Sequence, residues 1–234
     1  MRTDNMLEVL DNIPVTLEPE TVMKRLRVRG REAQMEEMAR ELIDIALPVA
    51  RPRAVYAVSP INDRTDNTVD IDGIRLTSRV LRINLDKVNR VFAYVATCGR
   101  EMHELTVPST DLLKAYCLDI IKMMVLGSAM TYLTRYIDNR YRPGQMSHMN
   151  PGSLKDWPLT QQKELFSILG DVEAAIGVTL TDGMAMVPTK STSGIYFATE
   201  IRFESCQLCP NEGCIGRRAP YDPDLAKQYQ TTPT

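Results

Sequence analysis

The stretch Val91-Phe92-Ala93-Tyr94-Val95-Ala96-Thr97 is an uninterrupted run of apolar and strand-forming residues that ends at Cys98-Gly99. A short apolar run bounded by a glycine is typical of a strand that is buried on both of its faces. The longest segment with helical periodicity follows it, from Thr110 to Arg140. The two segments predict a buried strand and a long central helix.

Strands and helices do not alternate regularly along the rest of the chain, and neither GxGxxG nor GxxxxGK[ST] occurs. This argues against a Rossmann or P-loop fold and predicts an α+β fold with a largely antiparallel sheet. In the N-terminal part we expect helices over 18–29 and 31–47, broken at Gly30, and an apolar stripe on the second helix that consists of Met35, Met38, Leu42, Ile45 and Ala46. Next come a strand over 54–58, a polar loop over 61–66, two short strands around Asp72-Gly73 and a helix capped by Ser78, while Ser109, Thr110 or Asp111 is the N-cap of the long helix. The rest of the chain is expected to form a loop over 141–158, a helix capped by Thr160, strands over 178–180, 184–187 and 195–201, and a loose tail.

Composition describes an ordinary globular protein. The chain has 234 residues, a net charge of −2 and five cysteines. It carries no basic surplus that would favour nucleic acid, no long apolar segment for a membrane span and no apolar run at its N-terminus typical of a signal peptide. An odd number of clustered cysteines favours the reducing cytoplasm. We divide the chain into an N-terminal helical segment (1–48), a main domain (49–204) and a cysteine-rich loop with a tail (205–234).

Three of the five cysteines, Cys206, Cys209 and Cys214, lie within nine residues on a loop that contains proline and glycine. Thiols at CxxCxxxxC spacing suit an iron–sulfur cluster, with a four-iron cluster favoured, or zinc as the alternative. The fourth ligand site is open or filled by Cys98. The competing interpretations are a reduced surface loop, a single disulfide with a spare thiol, and Cys98 as a buried apolar filler.

Two further loops are candidates for ligand binding. The segment 149–159 has two prolines, a glycine and the single tryptophan, Trp157, so its backbone is irregular and anchored. The segment 188–194 places a lysine, hydroxyls and a glycine between two strands. A structural loop and a polar hairpin are the respective alternatives. No Ser/His/Asp set, HExxH motif or carboxylate pair occurs, so we assign no catalytic residue.

Four blocks in this order resemble the activation (reactivation) domain of cobalamin-dependent methionine synthase, and especially its stand-alone anaerobic versions with an added cysteine motif. The resemblance covers about residues 50 to 200. The blocks are Gly73-Ile74-Arg75-Leu76-Thr77-Ser78; Ala96-Thr97-Cys98-Gly99; Asn150-Pro151-Gly152 with Asp156-Trp157-Pro158-Leu159 and Gln162; and Ile176-Gly177-Val178-Thr179-Leu180-Thr181 leading to Met186-Val187-Pro188-Thr189-Lys190-Ser191-Thr192-Ser193-Gly194.

The resemblance implies a single curved α+β domain around a twisted antiparallel sheet. It also implies a function: the reactivation of a methyltransferase whose cobalamin has oxidised, by reductive remethylation with S-adenosylmethionine. The partner would be a separate corrinoid-bearing methyltransferase, and the electron donor a flavodoxin or a ferredoxin. The alternatives are a non-enzymatic capping or assembly partner of a corrinoid protein, with structural zinc or an iron–sulfur site, and an S-adenosylmethionine-dependent methyltransferase of another acceptor.

The candidate cofactor-binding residues carried over from the family are His148, Asn150, Pro151, Gly152, Ser153, Lys190, Ser191, Ser193 and Gly194. The family's loop usually reads Arg-x-x-Pro-Gly-Tyr, and His148 and Ser153 stand here for the arginine and the tyrosine. Because histidine holds a carboxylate less firmly than a guanidinium does, we expect S-adenosylmethionine binding to be weak or absent at neutral pH. If His148 partly substitutes as a cation, binding should strengthen as the pH falls through about 6.5.

Overall fold

The computed structural model describes residues 7–26, 32–214 and 216–230. Its helices are α1 (Pro19–Leu26), α2 (Glu32–Ala46), α3 (Arg79–Asn84), α4 (Arg100–Glu104), α5 (Leu112–Tyr141), α6 (Gln162–Leu169), α7 (Val172–Ile176) and α8 (Pro223–Gln230). Its strands are β1 (Glu8–Leu10), β2 (Arg53–Arg64), β3 (Thr68–Ile71), β4 (Ile74–Thr77), β5 (Arg90–Thr97), β6 (Met146–Met149), β7 (Thr179–Leu180), β8 (Met186–Val187) and β9 (Ser191–Ala198). Short 3₁₀ turns lie at Leu47–Val49, Leu159–Gln161 and Ser205–Leu208.

In the described ranges, one antiparallel sheet runs in the order β4-β3-β2-β5-β9-β6, and β1 pairs with the first half of β2. Strand β5 lies inside this sheet and is buried along both faces, as its apolar sequence predicts. The predicted α+β fold with an antiparallel sheet and a long central helix is confirmed.

The side chains of β5 alternate between two cores. Phe92, Tyr94 and Ala96 pack in the core that contains the N-terminal helices and α5. Val91 and Val95 point to the opposite face, into the core that contains α6, α7 and Trp157. The N-terminal segment therefore shares a core with the sheet. Among the helices of the described residues, none combines the length and the hydropathy that a bilayer span requires.

Several predicted elements differ from the structure at the ends of the sheet. Strand β2 continues through Ile61 to Arg64, where a polar loop was expected, because this polar half pairs with β3. Strand β6 lies inside the expected loop over 141–158 and pairs with β9. Strand β9 begins at Ser191, so the hairpin before it is shorter than predicted, and it ends before Ile201.

The helices also show differences. The buried stripe of α2 is Met35, Ala39, Leu42, Ile43 and Ala46, whereas Ile45 is exposed. Gly30 lies outside the described residues. Thr160 does not cap α6, which follows the turn at Leu159–Gln161 directly. The tail contains α8, which packs its Tyr229 ring against Phe203 with centroids 5.6 Å apart.

The predicted caps and turns are mostly correct. Ser78 Oγ accepts a hydrogen bond from Leu81 N at 2.9 Å at the start of α3. Asp111 caps α5 by accepting from Lys114 N at 2.9 Å. Hydrogen bonds join the block that ends at Ser78 to the block that contains Asp156. The Asp156 carboxylate accepts from Ser78 Oγ and, at 2.9 Å, from Val80 N. Asp156 therefore has a structural role.

Candidate cofactor-binding cleft

A cleft of about 720 Å³ lies between α5 and the sheet. Its walls combine residues from distant parts of the chain: Arg25 from α1, Tyr94 from β5, Met123, Leu126, Gly127, Met130, Thr131 and Thr134 from α5, His148 and Asn150 at the end of β6, Thr189 to Thr192 and Tyr196 around β9, and Gly216 and Arg218 from the tail. The sheet supplies a rigid wall because β5 and β9 are adjacent strands.

Asn150 joins the two predicted ligand loops. Its side-chain amide donates a hydrogen bond to the Tyr94 hydroxyl at 2.9 Å and another to the carbonyl oxygen of Ser193. The loop after β6 and the start of β9 therefore lie side by side, although they are far apart in sequence. Their role in cofactor binding stays a prediction.

Gly194 allows this close approach. A Cβ at this position would lie 2.5 Å from the carbonyl oxygen of Met149 and 2.6 Å from Nδ2 of Asn150. Real side chains essentially never make such contacts, so the packing of β9 against the Asn150 loop requires glycine here.

Two tyrosines form a stacked pair in the cleft wall. The rings of Tyr94 and Tyr196 have centroids 4.7 Å apart and an interplanar angle of 26°. The Thr134 hydroxyl from α5 donates a hydrogen bond to the Tyr196 hydroxyl at 3.0 Å. Burial raises the pKa of both tyrosines. Both hydroxyls therefore stay protonated at neutral pH, and this buried, uncharged pair supports the cleft wall from within the core.

His148 lies against Tyr196, with ring centroids 5.6 Å apart. Burial, and then the positive charge of Arg218, lowers the pKa of His148 to about 4. The imidazole is therefore neutral at physiological pH. The expectation that His148 gains a charge near pH 6.5 and then holds a carboxylate is wrong, because the ring is removed from water beside a guanidinium.

Three cations line the cleft. Lys190 Nζ forms an ion pair with Asp119 Oδ1 at 2.8 Å. Arg218 Nε lies 3.5 Å from Glu204 Oε2. Arg25, from α1, also lines the cleft and is exposed. Sequence reasoning did not select Arg218 or Arg25, because neither lies in a block that resembles the family.

The predicted cofactor-binding residues divide into two groups. His148, Asn150, Lys190 and Ser191 line the cleft. The other five support it or lie outside its lining, namely Pro151, Gly152, Ser153, Ser193 and Gly194. Ser153 is exposed, and its amide donates to the carbonyl oxygen of Asn150 at 3.2 Å. The structure therefore places the cleft beside the Pro-Gly turn.

The cysteine loop has three free thiols, with Cys206 and Cys209 half-buried and Cys214 exposed. Thiols are suitable donors for a soft metal. Across residues 7–26, 32–214 and 216–230, however, no group of three or more His, Cys, Asp or Glu side chains is close enough to hold a metal ion. The expected convergence of the three sulfurs is thus not found, and the iron–sulfur or zinc site stays a prediction.

Cys98, predicted to be either the fourth ligand or a buried apolar filler, lies fully buried in the core beside α5. Its thiol donates to the carbonyl oxygen of Gly99 at 3.5 Å. Burial raises the pKa of Cys98 to about 11, a shift that the nearby ammonium of Lys122 opposes. Cys98 is therefore a neutral thiol here, which is the state of a buried structural cysteine.

A long helix lies across an antiparallel sheet with a cleft between them, and this fold resembles that of a methionine synthase reactivation domain. The crystal structure of the MetH reactivation domain bound to AdoHcy is similar to it, with a TM-score of 0.60 and 15% identity over 86% of this chain and 81% of that chain. The model of the family described as "vitamin B12 dependent methionine synthase, activation domain" matches residues 136–204. None of the curated proteins compared with the chain matches it.

The predicted resemblance to the activation domain is confirmed by both findings. The matched segment contains every predicted cofactor-binding residue, from His148 to Gly194, and it ends before Cys206. The family match therefore covers the cleft wall formed by β6 and β9 and leaves the cysteine loop outside it.

Proposed function

We propose that the protein reactivates a separate cobalamin-bearing methyltransferase in the cytoplasm. In this proposal, one electron from a reduced flavodoxin or ferredoxin converts the partner's cob(II)alamin to cob(I)alamin. The reduced cobalt then attacks the methyl group of S-adenosylmethionine. Methylcobalamin forms on the partner, and S-adenosylhomocysteine is the leaving group. The methyl transfer removes the reduced cobalt as it forms, so an unfavourable reduction is drawn to completion.

The observation that carries this proposal is the cleft between α5 and the sheet. In a fold similar to that of a MetH reactivation domain bound to AdoHcy, this cleft brings together Asn150 and Lys190 from the two segments that the resemblance selects. A neutral aromatic pair, Tyr94 and Tyr196, forms part of one wall. Met123, which is 45% exposed, and Gly127 form part of the opposite wall. A cleft whose lining combines apolar side chains with polar and charged groups suits a nucleoside-sized ligand.

The role of the chain's own residues in this scheme is to bind and orient. The Tyr196 ring, stacked on the fully buried Tyr94, supports the wall beside a bound ligand, and residues 189–192 line the cleft with polar side chains. Asn150 keeps the two loops in register. The corrin would be presented by the partner at the open side of the cleft.

The test uses a cobalamin-loaded methionine synthase fragment that lacks its own activation domain, in the cob(II)alamin state. Mixed with this protein, S-adenosylmethionine and reduced flavodoxin, it should convert to methylcobalamin, which the visible spectrum follows. Omission of the protein, or of S-adenosylmethionine, should stop the conversion. Equal conversion without the protein contradicts the proposal, and binding without conversion favours the capping role instead.

A matched pair of variants tests whether the activity depends on the cleft. Gly127 lies on α5 in the cleft lining, and a Cβ there would meet nothing within 4 Å. Gly127→Leu should therefore fold and obstruct the cleft, so the conversion rate should fall. Asn139→Leu changes an exposed residue of the same helix outside the lining and should leave the rate unchanged. Equal rates for the two variants would place the activity elsewhere.

A further inference from the structure

We propose that Arg218, on the tail that follows the cysteine loop, is a ligand-binding residue of the cleft and pairs with the carboxylate of an amino-acid-bearing ligand. This inference rests on the proposed function and names the residue that replaces the family's loop arginine. Arg218 lies about seventy residues after His148, which stands at the position of that arginine, and beyond the segment that matches the family model.

The position of Arg218 supports this role. The residue lines the cleft together with His148 and Tyr196. Its positive charge acts on the pKa of His148, Tyr94 and Tyr196, which places the guanidinium within electrostatic reach of all three side chains. The tail thus brings a cation to the part of the cleft where the sequence has a histidine in place of the usual arginine.

The ion pair with Glu204 leaves the Arg218 guanidinium available to a ligand. Glu204 Oε1 accepts from Arg202 Nε at 3.1 Å and from Arg202 Nη2 at 2.9 Å. Arg218 approaches the other carboxylate oxygen only at 3.5 Å, and 53% of its side chain is exposed. This distance is that of an ion pair and is longer than a good hydrogen bond. A ligand carboxylate with two well-placed oxygens offers the guanidinium a better, bidentate partner.

The other charged groups of the cleft are less suited to this role. His148 is neutral at physiological pH because burial lowers its pKa to about 4. Lys190 is held by Asp119 at 2.8 Å. Arg25 is exposed on α1, in a part of the cleft lining that α1 and not the tail supplies. A carboxylate that enters beside Tyr196 therefore meets Arg218.

The cysteine loop positions this residue. The backbone amide of Arg218 donates to Sγ of Cys206 at 3.4 Å. The neighbouring Arg217 guanidinium bonds the carbonyl oxygens of Cys206 at 3.0 Å and Cys209 at 2.8 Å. The backbone at the start of the tail is thus fixed to the cysteine loop, which holds Arg218 beside the cleft and leaves its side chain to the ligand.

The experiment is a calorimetric titration of the full chain with two probes. S-Adenosylhomocysteine carries the carboxylate, whereas 5′-methylthioadenosine shares the nucleoside and the thioether but has no carboxylate. Arg218→Gln should weaken S-adenosylhomocysteine binding by roughly a hundredfold, because a charge-assisted pair is lost. The same variant should leave the affinity for 5′-methylthioadenosine unchanged. Arg218→Lys should fall between the wild type and Arg218→Gln.

Arg75→Gln is the control, because it removes an exposed cation that lies outside the cleft lining and leaves the charges around Glu204 unchanged. It should bind both probes as the wild type does, with thermal unfolding confirming that each variant is folded. Equal weakening for both probes, or no weakening in Arg218→Gln, overturns the inference and leaves the proposed function standing. A wild type that binds neither probe also overturns it, while the methylcobalamin assay judges the proposed function separately.

Discussion

The side-chain amide of Asn150 lies 2.9 Å from the hydroxyl of Tyr94, to which it donates a hydrogen bond. The same amide donates to the carbonyl oxygen of Ser193. One side chain thus connects the loop after β6 with two adjacent strands of the sheet, β5 and β9. The cleft wall keeps its shape through this residue, which gives it a role in stability as well as in any ligand binding.

We expect Asn150→Ala to destabilise the protein by about 1–3 kcal/mol, because the buried carbonyl of Ser193 and the buried hydroxyl of Tyr94 each lose a donor. Urea denaturation measures this change. Asn62→Ala removes an exposed side-chain hydrogen bond to Asp70 of 3.2 Å and serves as the control, with an expected change within about 0.5 kcal/mol. Similar losses in both variants would show that Asn150 does not hold the wall.

Gly194→Ala should cost about 1–3 kcal/mol, because the new methyl group would lie 2.5 Å from a backbone oxygen of Met149, which cannot move without disturbing the pairing of β6 with β9. Gly127→Ala is the opposite case. It lies in α5 with open space around the new Cβ, so it should stabilise by up to about 1 kcal/mol. Thermal unfolding of the two variants compares them directly, and a neutral Gly194→Ala would contradict the close packing.

His148 makes the stability depend on pH. Its pKa is lowered from 6.5 to about 4, so the unfolded chain binds a proton at a pH where the folded protein does not. The free energy of unfolding should therefore fall as the pH falls through this interval, by up to about 3 kcal/mol from this group. The wild type should lose stability more steeply than His148→Gln there, as urea denaturation would show. Curves that stay parallel from about pH 8 to about pH 4 would exclude the effect.

The prediction that the cysteine loop binds a metal is tested by measuring the metal content of the purified protein. Protein purified without oxygen should contain iron, with the visible absorption of an iron–sulfur cluster, or zinc as the alternative. Cys206→Ser, Cys209→Ser and Cys214→Ser should each lower the metal content, while Cys117→Ser, at a buried cysteine of α5, should not. Wild-type protein that contains neither iron nor zinc would refute the metal site.

The central strand and the long helix could be predicted because each carries its signal within one segment. Burial on both faces gives β5 an apolar run, and α5 repeats its apolar spacing over thirty residues. The extension of β2, the short β6 and the tail helix α8 were missed. Their sequences are polar or contain breakers, and pairing with β3, β9 and the turn at 205–208 stabilises them through contacts between distant parts of the chain.

The candidate site was only partly predictable for the same reason. Asn150 and Lys190 were selected through the resemblance, and the structure brings both to one cleft. Tyr94 could not be distinguished from the other apolar residues of its strand. Arg218 reaches the cleft only because the tail folds back on the cysteine loop, and a sequence pattern does not show that return.

Arg217 joins the cysteine loop and the start of the tail through one side chain. Its guanidinium donates to the carbonyl oxygens of Cys206 at 3.0 Å, Ala219 at 2.9 Å, Cys209 at 2.8 Å and Asn211 at 2.6 Å. Zinc fingers, in contrast, are unfolded until the metal binds. A metal that enters this loop would join a segment already folded around an internal cation. Loss of the predicted metal should therefore leave the backbone of this loop in place, because Arg217 joins its carbonyl groups.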